Sequence, residues 1–168
     1  MAIHYRYSCP PETDLATIPT PYCRDNRTFR CHRDSLRPLV HLCEAAKRDG
    51  VSIVVISAFR DIAYQAELYA DAQRRHGLDR ASTWVAPPGH SEHHTGYALD
   101  LADRDHPETD DEPGFETTPA AYWLLRHAPH HGFELSFPKG NAQGVGYEPW
   151  HWRFCATPAA QKLFDSLR

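Results

Sequence analysis

Residues 88–104 read Pro88-Gly-His-Ser-Glu-His-His-Thr-Gly-Tyr-Ala-Leu-Asp-Leu-Ala-Asp-Arg104. Up to Gly96 the composition is that of a loop, entered through Pro87, Pro88 and Gly89. Beyond it, Tyr97-Ala-Leu-Asp-Leu-Ala is a short apolar run that reads as a strand. His93 and Asp100 are seven residues apart, so a loop residue and a following strand residue can converge on one ion. Gly96 permits a close approach of backbone between them. A second string, Glu148-Pro-Trp-His-Trp-Arg153, brings His151 from a distant strand. Two histidines and one aspartate make a three-ligand set with one position left for water, which separates a catalytic zinc from a closed structural one. Glu148, three residues before His151, can reach that water without being a ligand and take its proton. His94 competes with its neighbour for the ligand position, and the spacing to Gly96 and Asp100 favours His93.

Working outward, Ser35 is expected to cap a helix to Asp49, with Leu36, Leu39, Val40, Cys43 and Ala46 on one face and Gly50 stopping it. Residues 51–59 are a β-branched run and predict a buried strand. Asp61 predicts a cap for a helix to Arg75, ended by Gly77. The stretch 78–92 reads as loop, and 103–118 as an acidic surface insertion. Thr118-Pro119 is an N-cap followed by proline at the first helical position, opening a helix to His131 before Gly132. Residues 133–137 and 150–154 read as strands, 138–147 as a glycine-containing loop, and Thr157-Pro158 starts a last helix. Residues 1–34, with Pro10, Pro11, Pro19 and Pro21, read as an irregular wrapping segment, leaving 35–168 as the folded domain. Helices and strands mix without regular βαβ alternation. The expected class is α+β: a single domain with a small antiparallel sheet carrying the zinc site and helices packed around it.

The chain has 168 residues, enough for one domain with a real core. Its net charge of −4 gives no general attraction to nucleic acid. No apolar run approaches the length of a membrane span. The first residues lack an apolar stretch of signal-peptide type. The chain as it stands therefore reads as cytoplasmic, or as a cell-envelope or periplasmic protein after removal of a leader. Five cysteines leave at least one thiol unpaired, and their spacings match no zinc-knuckle pattern. Buried free thiols are expected; a disulfide among the first four would imply an oxidising compartment. His127, His130 and His131 read as a polar helix end, and Trp150 and Trp152 as core residues flanking His151.

The string Ser91-x-His93-x-x-Gly96-x-Ala98-x-Asp100 with Glu148-x-x-His151 resembles the zinc D-alanyl-D-alanine carboxypeptidases of the VanY type, in the wider lysostaphin-like and hedgehog-like group. Ser57-Ala-Phe-Arg60 with Gln65 and Leu68 resembles that family's Ser-Gly-Tyr-Arg segment, with Ala58 and Phe59 departing from it. Trp123-Leu and His131-Gly-Phe-Glu-Leu-Ser-Phe-Pro resemble the stretch before its Glu-x-Trp-His motif. The likeness covers about residues 35–155. It implies that one zinc per chain is bound by His93, Asp100 and His151, with Glu148 as general base. It further implies that Arg60, Gln65 and Ser91 line the substrate site. Arginine offers a fixed fork of donors to a carboxylate or a developing oxyanion, so Arg60 has a place in binding and in catalysis. The implied reaction is removal of a C-terminal D-amino acid from a peptidoglycan stem peptide, by a monomer without a nucleic-acid partner. An endopeptidase of the same superfamily and a non-catalytic zinc-stabilised binding module are the alternatives; the intact Glu148 argues against the second.

Overall fold

The computed structural model describes residues 2–165. In chain order, β1 (Leu15–Thr17) pairs antiparallel with β2 (Arg30–His32), and α1 (Arg33–Arg48) follows directly. Then come β3 (Ile53–Ser57), α2 (Ile62–His76), α3 (Leu78–Trp84) and β4 (Ala98–Asp103). After the acidic insertion, α4 (Pro119–His127), β5 (Phe133–Leu135), β6 (His151–Phe154) and α5 (Pro158–Asp165) complete the chain. β3–β4–β6–β5 form one antiparallel sheet in that order, and β1–β2 a second. The α+β expectation holds, with the helices around the larger sheet.

Side chains alternate across a strand, and here the alternation separates packing from chemistry. Tyr97, just before β4, and Leu99 and Leu101 within it join the hydrophobic core, as do Trp152 and Phe154 of β6. Asp100 on β4, and His151 and Arg153 on β6, occupy the intervening positions. All six β4 residues are buried, so a carboxylate at its centre must be met by donors or a metal rather than water.

Several boundaries differ from the sequence expectations. Helix α1 starts three residues early: the His32 ring accepts from the Asp34 N–H as the cap, while Ser35 is buried and donates to the His32 carbonyl. The expected loop 78–92 contains α3, and the wrapping segment carries β1 and β2. The acidic insertion forms two short 3₁₀ turns. Its Phe115 is fully buried, and Arg24 forks onto Asp110 while donating to the Asp103 and Arg104 carbonyls. The insertion is thus anchored rather than loosely attached. Other signals are realised as read: Asp61 accepts from the Tyr64 N–H, Thr118 from the Ala121 N–H, and Gly77 and Gly132 have positive φ.

No disulfide forms among the described cysteines; Cys23, Cys31 and Cys43 are buried, and Cys9 is exposed. Among the described residues, no helix is long and apolar enough to cross a membrane.

Candidate metal centre

Asp100 and His151 are direct register partners across β4 and β6. Pairing in an antiparallel ladder puts opposed Cβ atoms about 4.5–5.5 Å apart, so the sheet itself brings these side chains together. His93 reaches them from a 3₁₀ turn, Glu92–Thr95, which Ser91 caps by accepting from the His93 N–H and which Gly96 ends in left-handed backbone. A Cβ on Gly96 would stand 2.8 Å from the His32 nitrogen. The close approach that glycine permits is therefore to β2, where the His32 N–H donates to the Gly96 carbonyl.

His93, Asp100 and His151 each offer one ligating atom, and these atoms lie within 4.8 Å of one another. His93 Nε2 is 3.2 Å from Asp100 Oδ2, and His151 Nδ1 is 3.1 Å from Asp100 Oδ1. Ligands at about 2.0–2.1 Å from a tetrahedral zinc stand about 3.3 Å apart, so the spacing fits such an ion. The tautomers fit as well. The His93 Nδ1–H donates to the Ala58 carbonyl at 2.7 Å, leaving Nε2 toward Asp100. The His151 Nε2–H donates to Glu92 at 3.0 Å, leaving Nδ1 toward Asp100 and Glu148. A donor bond from the second ring nitrogen is the usual way a ligating imidazole is oriented.

Electrostatics follow from this packing. Burial opposes ionisation of Asp100, but His93, His151 and Arg60 outweigh it and hold the carboxyl well below the usual range. Burial and the Arg60 charge press His93 down to about 4, so its ring is neutral and available as a ligand. Burial likewise opposes a charge on His151, but Asp100 and Glu92 outweigh it and raise its pKa. Glu148 lies 3.6 Å from His151 Nδ1. Burial, partly offset by His151, pushes its carboxyl up to about 8. That places a proton acceptor and donor of near-neutral pKa beside the ligand cluster.

The remaining predicted residues form a bracket. Arg60 donates to Asp100 at 2.7 Å and to Ser57 at 2.9 Å, with Gln65 Oε1 at 3.5 Å. Gln65 is buried and anchors its amide on the Ala86 carbonyl. The structure therefore brings Arg60 against the ligand cluster, while Gln65 lies behind Arg60 and Ser91 beneath His93. His94 is turned away: Nε2 accepts from the Gly89 N–H and Nδ1 meets the Arg60 carbonyl.

Glu92 is the residue the sequence reading passed over. It is fully enclosed and contacts His151, Ser136 at 2.6 Å and Arg153 at 2.6 Å. Burial opposes its charge, but the bonds from His151 and the Arg153 charge prevail and hold it at about 2. Its partners come from β6 and the segment after β5, so no local spacing announces them. The only sequence signal was its place between Ser91 and His93.

Comparison with known proteins agrees with this geometry. A D-alanyl-D-alanine carboxypeptidase of Enterococcus faecalis is 35% identical over 142 residues, covering 75% of this chain and 48% of that protein. The chain thus spans about half the length of that relative. Among solved structures, the LdcB LD-carboxypeptidase superposes with a TM-score of 0.74 at 26% identity, over 95% of this chain and 75% of the other. The vancomycin-resistance D,D-pentapeptidase VanY, solved in complex with Zn(II), gives a TM-score of 0.69 at 25% identity, over 98% and 92%. The family profile of VanY, D-alanyl-D-alanine carboxypeptidase, matches residues 29–157, from the residue just before β2 to just past β6. Since that span includes the whole ligand cluster, its carboxylate and its arginine bracket, the chain belongs to the VanY family of D-alanyl-D-alanine carboxypeptidases.

Proposed function

We propose that this chain is a zinc-dependent carboxypeptidase that hydrolyses the C-terminal D-amino acid, D-alanine, from peptidoglycan stem peptides, acting as a monomer. The observation that carries the reading is the convergence of His93 Nε2, Asp100 and His151 Nδ1 with the partly exposed Glu148 alongside. A purely structural zinc has no use for such a carboxylate. His93, Asp100 and His151 hold the ion. When bound, zinc supplies Lewis acidity, polarising a carbonyl and lowering the pKa of water to about 7.

The chain's own groups do the rest. The ionised fraction of Glu148 takes a proton from the attacking water. Its raised pKa lets it keep that proton at neutral pH and pass it to the leaving amine. Arg60, fixed by Ser57, Asp100 and Gln65, holds a positive charge beside the carbonyl, where negative charge grows as the tetrahedral state forms. Gln65 and Ser91 serve the substrate site by keeping Arg60 and His93 in place. Ala58 and Phe59 leave this segment without a tyrosine hydroxyl.

Mass spectrometry of products from tetrapeptide and pentapeptide stems tests the reading. Loss of a single terminal D-alanine is expected, with the amidated peptide cleaved at least tenfold more slowly because the terminal charge is gone. Internal cleavage, or equal cleavage of acid and amide, would establish an endopeptidase instead.

A further inference from the structure

The family profile begins at residue 29, yet the first residues of the chain bond to three segments that lie within it. Ile3 makes a two-way bond with Gln143: its N–H donates to the Gln143 carbonyl at 2.7 Å, and the Gln143 amide donates back to the Ile3 carbonyl at 2.9 Å. His4 Nε2 meets the Ser82 carbonyl in α3 at 2.6 Å. The Tyr7 N–H donates to the Gly89 carbonyl at 2.9 Å, just before the turn that bears His93. Helix α3 is itself tied to the loop ahead of Glu148 by the Gly146 N–H, which donates to the Thr83 carbonyl at 2.8 Å. One short run of chain thus touches the loop ahead of the base, α3, and the segment leading to the first ligand.

Tyr7 reaches deeper. Its side chain is buried, with its ring 6.0 Å from that of Phe164, over which the Arg153 guanidinium lies at 4.6 Å. Its hydroxyl faces the Glu92 carboxylate. Glu92 holds the His151 ring, and His151 is a ligand in the proposed site. Groups behind a metal ligand fix its orientation and basicity.

We propose that residues 3–7, outside the family-matched region, are a positioning strap of the metal site: Tyr7 braces Glu92 behind His151, and the Ile3–Gln143 pair clamps the loop that carries Glu148. The first part concerns metal affinity and stands apart from the hydrolytic reading. The second rests on that reading.

Two variants separate them. Tyr7→Phe keeps the ring and removes only the hydroxyl. Zinc affinity, measured against a chromophoric chelator without substrate, is expected to fall about 3–10-fold. That is less than the 10–100-fold typical of groups one shell closer to the metal. An unchanged zinc Kd overturns the Tyr7 assignment and leaves the residue as core packing. Gln143→Ala is expected to keep the zinc Kd and the KM for a stem pentapeptide while kcat falls about tenfold, because a loosened base is misplaced during the reaction. An unchanged kcat overturns the clamp. If the parent protein cleaves no stem peptide at all, the hydrolytic reading and the clamp fail together, and the Tyr7 measurement still decides its own part.

Discussion

Asp100 is a buried carboxyl and Glu148 a partly exposed one in the same site, and their surroundings drive them in opposite directions. Asp100 accepts from Arg60 and faces both histidines, so it stays ionised. Glu148 lacks that density of positive charge, and burial dominates. In the proposed reaction the pair is thereby divided into a permanent anion and a proton carrier, as paired carboxyls in acid–base catalysis are. Replacement of Glu148 by glutamine should leave zinc stoichiometry and fold intact while turnover drops by about 10²–10⁴. Metal analysis and steady-state kinetics on one preparation check both halves. His151→Ala should lose stoichiometric zinc. His94→Ala, which removes a buried ring bonded to the Gly89 and Arg60 backbone rather than to the ligand cluster, should retain it.

At the scale of elements, Gly96 has the most to show. It has φ of 73°, and an added Cβ would collide with the His32 nitrogen. That atom belongs to the β2 backbone and cannot swing aside. Gly96→Ala should cost about 1–3 kcal/mol, with zinc binding weakened in parallel because the turn bearing His93 shifts. Thermal melting and chelator competition would reveal it. Elements with strong local signals were legible in the sequence: Asp61 and Thr118 cap helices as read, and the run around Asp100 is a strand. The candidate ligand cluster was legible because its spacing reports a loop-to-strand transition and a second strand. α3 was hidden by the prolines and glycine that follow it, and β1–β2 by their short length and dependence on tertiary contacts. Glu92 was illegible because its partners, Ser136, His151 and Arg153, lie 44, 59 and 61 residues away.

Across the whole molecule, the metal should contribute to stability as any ligand specific for the native state does. With zinc 100-fold above its Kd the gain is about 2.7 kcal/mol, or about 5–10 °C in Tm for a chain of this size. Scanning calorimetry with and without a chelator measures it, and an unchanged Tm would mean the cluster binds nothing tightly. The thiols give a second readout of the intact fold. Burial pushes Cys31 up to about 11 and Cys43 up to about 12, while Cys9 lies at the surface. A thiol reagent at pH 8 should therefore label Cys9 rapidly and reach the buried three only on unfolding.

The pairing of Asp100 with His151 has a consequence for how the protein is made. A slip of one residue between two strands turns every side chain to the opposite face. Such a slip between β4 and β6 would send His151 into the core and bring Trp150 or Trp152 toward the ion. A mis-registered chain can therefore form a sheet yet capture no metal. The metal content of a preparation would then report the register of this one strand pair: only correctly threaded molecules bring His151 to the ion.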